Sequence, residues 1–112
     1  MDNNRLQKIN RLIQKELGEL LLIEAKKMPG VIISVTNVRV SAYLSVAHSY
    51  LSVFPSEKSK ELVSNINENV KTVRYDLGKR LRNQLRLIPE LTFHVDDSLD
   101  YIDNLDNLLK DQ

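Results

Sequence analysis

The sequence predicts an α+β domain, a three-stranded sheet with helices packed on one face. Three observations lead there. Apolar residues recur at helical spacing in three segments, two β-branched runs lie together in the first half, and a third short run follows the longest helical segment directly. The order reads helix, strand, strand, helix, strand, helix. At 112 residues the chain is long enough for one core but not two. That core is expected over about residues 5–97, with an acidic helix over about 98–109.

The first helix is predicted over residues 5–27. Leu6, Ile9, Leu12 or Ile13, Leu17, and Leu20 or Leu21 keep its spacing, with Asn3 or Asn4 as the cap. Arg5, Lys8, Arg11 and Lys15 lie off that stripe and read first as a solvated face. Met28-Pro29-Gly30 breaks the helix. Val31 to Val40 is a β-branched strand in which Val31, Ile33 and Val35 alternate, after which the apolar phase moves to Val38 and Val40. A bulge near Thr36-Asn37 would produce that shift. Ser45 to Phe54 forms the second strand, and the short connection makes the pair an antiparallel hairpin. Its two faces, Ala47, Ser49, Leu51 and Val53 against Val46, His48, Tyr50 and Phe54, both carry apolar mass, so pattern leaves the core face open.

Pro55 and Ser56 end the hairpin, and Ser56 or Ser59 caps a long helix expected to run to about Leu87. Val63, Ile66, Val70, Val73, Leu77, Leu81 and Leu85 form its buried stripe. Pro89 stops it, because the ring forbids helical continuation and biases Ile88 to an extended conformation. Glu90 to Val95 is the third strand. In the closing helix Asp97 or Ser98 is the cap, and Leu99, Ile102, Leu105, Leu108 and Leu109 form the stripe.

A net charge of +1 conceals an asymmetry. Residues 71–86 hold six bases against Asp76, a local +5, while residues 90–112 hold seven acids against Lys110, a local −6. At about 100° per residue, Lys71, Arg74, Gly78, Arg82 and Arg86 fall together on one flank of the long helix. A helix that buries one side and shows arginines on another is a scaffold for binding a polyanion. Gly78, within that flank, marks either close packing or the close approach of an RNA backbone. The bland alternative is a solvated face paired with the acidic tail.

Other chemistry finds little footing. The chain has no Cys, so disulfide and thiol chemistry are absent and a reducing cytoplasm is the expected setting. The first ten residues show no secretory pattern, and no apolar run reaches membrane-spanning length. His48 and His94, each in a strand, lack the partners of a zinc site. His94 with Asp96 would be an acid–base pair only in a cleft that the sequence does not show. The acidic tail lacks the Gly and terminal Glu of a calcium loop.

Several segments together resemble the ribosome-binding factor A family. They are VTNVRVS (35–41) followed by a strand with Ala47 and Tyr50, RYDLGKRLRNQLRLIPELTFHVDDSLDYI (74–102), and the terminal NLL (107–109). Within them run Arg74-x-x-x-Gly78, Pro89-Glu90-Leu91, Phe93 and Asp97-Ser98 in order, and the resemblance spans about Arg5 to Leu109. It implies a KH-type domain of the second topology, in which a kink in the long helix replaces the Gly-x-x-Gly loop. The positions matching the family's usual Ala-x-Gly kink are Asn69-Val70-Lys71, and the interval from Gly78 to Pro89 is longer than the family's. The resemblance further implies binding to the immature 30S subunit and its 16S rRNA, help in late maturation and processing of that RNA, and a role in growth in the cold. It implies no catalysis; no cofactor, metal, membrane or small-molecule substrate is expected, and the free chain is expected to be a monomer. The candidate RNA contacts are Lys71, Arg74, Gly78, Lys79, Arg80, Arg82 and Arg86, with Arg39 as an outlying one. The alternative is a protein-interaction module whose basic helix meets an acidic partner.

Overall fold

The structure, a computed structural model, describes residues 3–41, 43 and 45–96. Its elements are α1 (Asn3–Ala25), β1 (Ile32–Val40), β2 (Val46–Phe54), a 3-10 turn (Ser56–Lys58), α2 (Ser59–Glu68), α3 (Val70–Leu81) and β3 (Glu90–Val95). The expected C-terminal helix lies outside the described residues. The strands form one sheet in the order β1-β2-β3, with β1 antiparallel and β3 parallel to the central β2. A parallel neighbour requires a crossover, and α2 with α3 supplies it. No helix among the described residues is long and apolar enough to cross a membrane.

The expected bulge is present. Val35 pairs with Leu51 and Asn37 with Tyr50, which leaves Thr36 over. The extra residue restores inward phase to Val38 and Val40, so Ile33 before the bulge and Val38 and Val40 after it are buried on one face. The Thr36 hydroxyl lies 3.2 Å from the Tyr50 carbonyl and donates to the Asp96 carboxylate, which ties the end of β3 to β1 across the sheet.

The open question of the core face is settled by the neighbouring strands. Ala47, Ser49, Leu51 and Val53 point inward, where Val38, Leu91 and Phe93 supply the bulk that the small Ala47 and Ser49 lack. Onto this face pack Ile9, Ile13, Leu17, Leu21 and Ala25 of α1, Val63 of α2, and Leu77 and Leu81 of α3. Ile66, Val70, Val73 and Leu85 complete the predicted stripe at the margin of the core. Helical amides cover both sheet edges. Asn10 accepts from Val40 N–H at 2.9 Å and Gln14 donates to the Val35 carbonyl at 3.1 Å. On the other edge Asn67 bonds both the N–H and the carbonyl of Phe93, each at 2.9 Å, as a neighbouring strand would.

The single long helix of the sequence reading is corrected in two places. It breaks at Asn69, whose φ of −105° and ψ of 23° are not helical. There the Asn69 side chain donates to the Asn65 carbonyl at 2.9 Å, and the Asn69 carbonyl accepts from Thr72 and Val73. Asparagine competes with backbone partners in this way, so it ends one helix and starts the next without an Ala-x-Gly. The second correction is the end, at Leu81 rather than near Leu87. Gln84 N–H and Leu85 N–H both bond the Leu81 carbonyl at 2.9 Å, closing a turn that carries Leu85 and Ile88 back to the core. Helical period alone continues through Leu85; the need to reach β3 overrides it before Pro89 is met.

Candidate nucleic-acid interface

Helix α3 has one buried line, Leu77 and Leu81, and two flanks. One flank turns to α1. There Arg80 Nη1 lies 2.7 Å from Glu19 Oε2 and 3.3 Å from Glu16 Oε2, so its charge is matched twice over. Arg80, a candidate RNA contact in the sequence, thus lies on the α1 flank, where it clamps two helices.

The other flank faces the segment that returns to β3, and the two form a groove. Lys71, Arg74, Tyr75, Gly78, Lys79, Arg82, Arg86, Leu87 and Ile88 line it, with Val70 and Glu90 at its ends. Five cations thus share a concavity with one carboxylate. Lys71, Lys79, Arg82 and Arg86 are exposed, whereas Arg74 and Gly78 are half-buried. Lys79 Nζ stands 4.6 Å from the centroid of the Tyr75 ring, a cation–π contact that holds the ammonium at the rim. Exposed cations on a preformed wall suit phosphate, because they neutralise it and release its counterions. The fork of arginine adds bidentate geometry.

Two predicted residues have a different surrounding from the one sequence suggests. Arg74 Nε donates to the Pro89 carbonyl at 3.1 Å and Arg74 Nη2 to the Ile88 carbonyl at 2.5 Å. Gly78 sits on the groove floor, and a Cβ built there would meet Ile88 Cγ1 at 3.6 Å, an ordinary contact. Arg39 is not brought to the groove. It lies opposite His48 in the register, between the buried Val38 and Val40, and so faces away from the helices. On that same open face His48 Nδ1 is 3.0 Å from His94 Nε2, and Tyr50 stacks on His94 at 5.2 Å. His94 therefore partners His48, and Asp96 partners Thr36.

Sequence reasoning missed Leu87, 71% exposed on the groove wall, and grouped it with the helix. It also missed a cleft between α1 and the α2–α3 break, lined by Leu20, Leu21, Met28, Ile33, Leu62, Ile66 and Val73 together with the polar Glu24, Asn65, Asn69, Thr72 and Asp76. The cleft lies at the helix break and Asn69 itself lines it, so only the break could have signalled it.

Comparison with known proteins bears on what this groove serves. The family model described as ribosome-binding factor A matches residues 5–109. Ribosome-binding factor A of Flavobacterium johnsoniae is 47% identical over 111 residues, covering 97% of this chain and 85% of that protein. The protein of the same name from Cytophaga hutchinsonii is 42% identical over 110 residues, covering 97% and 83%. Among solved structures, crystalline ribosome-binding factor A from Thermus thermophilus superposes with a TM-score of 0.65 at 22% identity, covering 80% of this chain and 94% of that one. A homology model of the Thermus protein, fitted into an electron cryo-microscopy map of its complex with the 30S subunit, gives 0.57 at 22% identity, covering 77% and 93%. The shared fold is α+β with the three-stranded sheet and helix order described above.

Proposed function

The chain belongs to the ribosome-binding factor A family, and from that premise we propose that it binds the small ribosomal subunit through the groove between α3 and β3. The observation that carries this reading is the groove's charge. Lys71, Lys79, Arg82 and Arg86 are exposed along it with Glu90 as the one carboxylate in its lining. The Thermus protein's fitted complex with the 30S subunit supports the choice of partner.

The ligand on the subunit is its 16S rRNA. RNA helices present phosphates and 2′-hydroxyls rather than a readable major groove, so a cationic wall with a single ring, Tyr75, suits them. The protein acts by differential affinity, holding one arrangement of the immature RNA in preference to others, since a ligand shifts an equilibrium only by that difference. Its role is binding in late maturation, without catalysis or cofactor, as a cytoplasmic monomer. Assistance to 16S processing and to growth in the cold are the finer parts of this reading and rest on the family resemblance.

Sedimentation of the purified protein with isolated small or large subunits across a salt series tests it. Association with small subunits that weakens steeply as salt rises is the expected result. Absence of association with either subunit at low salt, or equal association with both, would overturn the proposal. Binding to an acidic protein in place of RNA would favour the interaction-module alternative.

A further inference from the structure

We propose that Arg74 is a positioning residue, which fixes the groove wall carrying Arg86 and Leu87 and makes no phosphate contact of its own. The inference rests on the nucleic-acid reading of the groove and changes the part that its most central arginine plays.

The wall is the segment between Leu81 and β3. Its first turn is held by the bonds from Gln84 and Leu85 to the Leu81 carbonyl, and its far end by the bond from Glu90 N–H to the Ser45 carbonyl. Among the described residues, no backbone N–H from Arg86 to Ile88 takes part in a backbone hydrogen bond, and Pro89 has none to give. The Ile88 and Pro89 carbonyls bond Arg74 instead. Such a segment stays where its side chains and the Arg74 fork hold it.

One edge of the fork is already engaged. Nε–H and one Nη2–H point along the same edge of the guanidinium, and here that edge faces two successive carbonyls. It is also the edge that would grip a phosphate side-on with two parallel bonds. Arg74 is half-buried, whereas Lys71, Arg82 and Arg86 are exposed around it. One turn further along α3, Ile88 Cγ1 lies over Gly78. The Arg74-x-x-x-Gly78 string is therefore a seat for Ile88-Pro89: the arginine holds the backbone and the Ile88 side chain rests over the glycine. From that seat the chain runs back to Arg86 and Leu87 on the wall.

The test compares Arg74→Ala and Arg74→Lys with the parent. Lysine keeps the charge but cannot bridge two carbonyls, so it separates seat from contact. Affinity for isolated small ribosomal subunits is measured across a salt series, and amide exchange is followed at residues 84–88 of the free protein. Both variants are expected to bind about tenfold more weakly, because a loosened wall must be ordered on binding while Arg86 still makes its contact once bound. The dependence on salt should stay unchanged, and exchange at residues 84–88 should accelerate in both. Three results would overturn the inference. One is a lysine variant that binds like the parent. Another is an alanine variant whose logarithmic salt slope falls by about 0.9, the loss of one phosphate contact. The third is exchange at residues 84–88 that neither variant alters. The exchange arm needs no RNA, so it decides the seat even if the parent fails to bind subunits, a failure that would count against the nucleic-acid reading alone. If Arg74→Ala does not fold, Arg74→Lys decides.

Discussion

Arg80 and Arg82 stand two residues apart at the end of α3, yet they end in opposite electrical surroundings. Arg80 meets Glu16 and Glu19 of α1, while Arg82 looks into a groove whose lining holds only Glu90 against five cations. The helix sets the direction of each side chain, and the element opposite decides whether its charge is used up. On the proposed interface, two of the bases along residues 71–86 have protein partners instead, Arg80 as a clamp on α1 and Arg74 on the Ile88 and Pro89 carbonyls. What remains free for a polyanion is Lys71, Lys79, Arg82 and Arg86, all exposed.

The sharpest way to break this contrast is to reverse charge on the groove flank alone. Arg82→Glu combined with Arg86→Glu should weaken binding to small subunits by about a hundredfold, two charged contacts at about tenfold each. The logarithmic salt slope should fall by about two units. Both side chains are exposed, so the thermal unfolding midpoint should hardly move. A folded double variant that binds like the parent would remove the groove from the interface.

On the opposite flank the expectation inverts. Arg80→Ala should cost about 0.5–1 kcal/mol of stability, a figure kept small because the shorter of its two bridges goes to the half-exposed Glu19. Subunit binding and its salt slope should stay at the parent's values. Loss of binding without loss of stability would show that the two flanks do not differ as the structure has them.

How much of this was legible depends on how far apart the deciding residues lie. The bulge at Thr36 was readable, because the shift from Val35 to Val38 is local and period two leaves one way to repair it. The antiparallel hairpin, the third strand and the α3 stripe were readable for the same reason. The fate of Arg80 was not, since its partners sit 61 and 64 residues away. Neither was the helix end. Periodicity runs on to Leu85 and Pro89 looks like the stop, but the real stop lies where the chain must turn to lay Ile88 beside Gly78 and bring Glu90 opposite Val46. The break at Asn69 was half legible. Three asparagines at 65, 67 and 69 favour side-chain bonds to backbone, and the structure uses two of them in that way, Asn69 on its own helix and Asn67 on β3.

Gly78 gives the finest test of the groove flank, because its two readings predict different signs. If Ile88 covers it, an added methyl finds ordinary contact at 3.6 Å and no positive φ forbids it. The helix then gains the difference between alanine and glycine, reduced by its position near the helix end to about 0.5 kcal/mol. If instead an RNA backbone approaches closely at Gly78, the methyl stands in its way and affinity falls whatever the helix gains. The position of Ile88 favours the first outcome. Gly78→Ala should raise the unfolding midpoint in denaturant slightly and leave subunit affinity within about twofold, less than the tenfold that 1.4 kcal/mol represents. A stabilised variant that binds tenfold more weakly would place a phosphate on the floor of the groove, between Arg74 and Arg82, and would show that the glycine serves the ligand rather than Ile88.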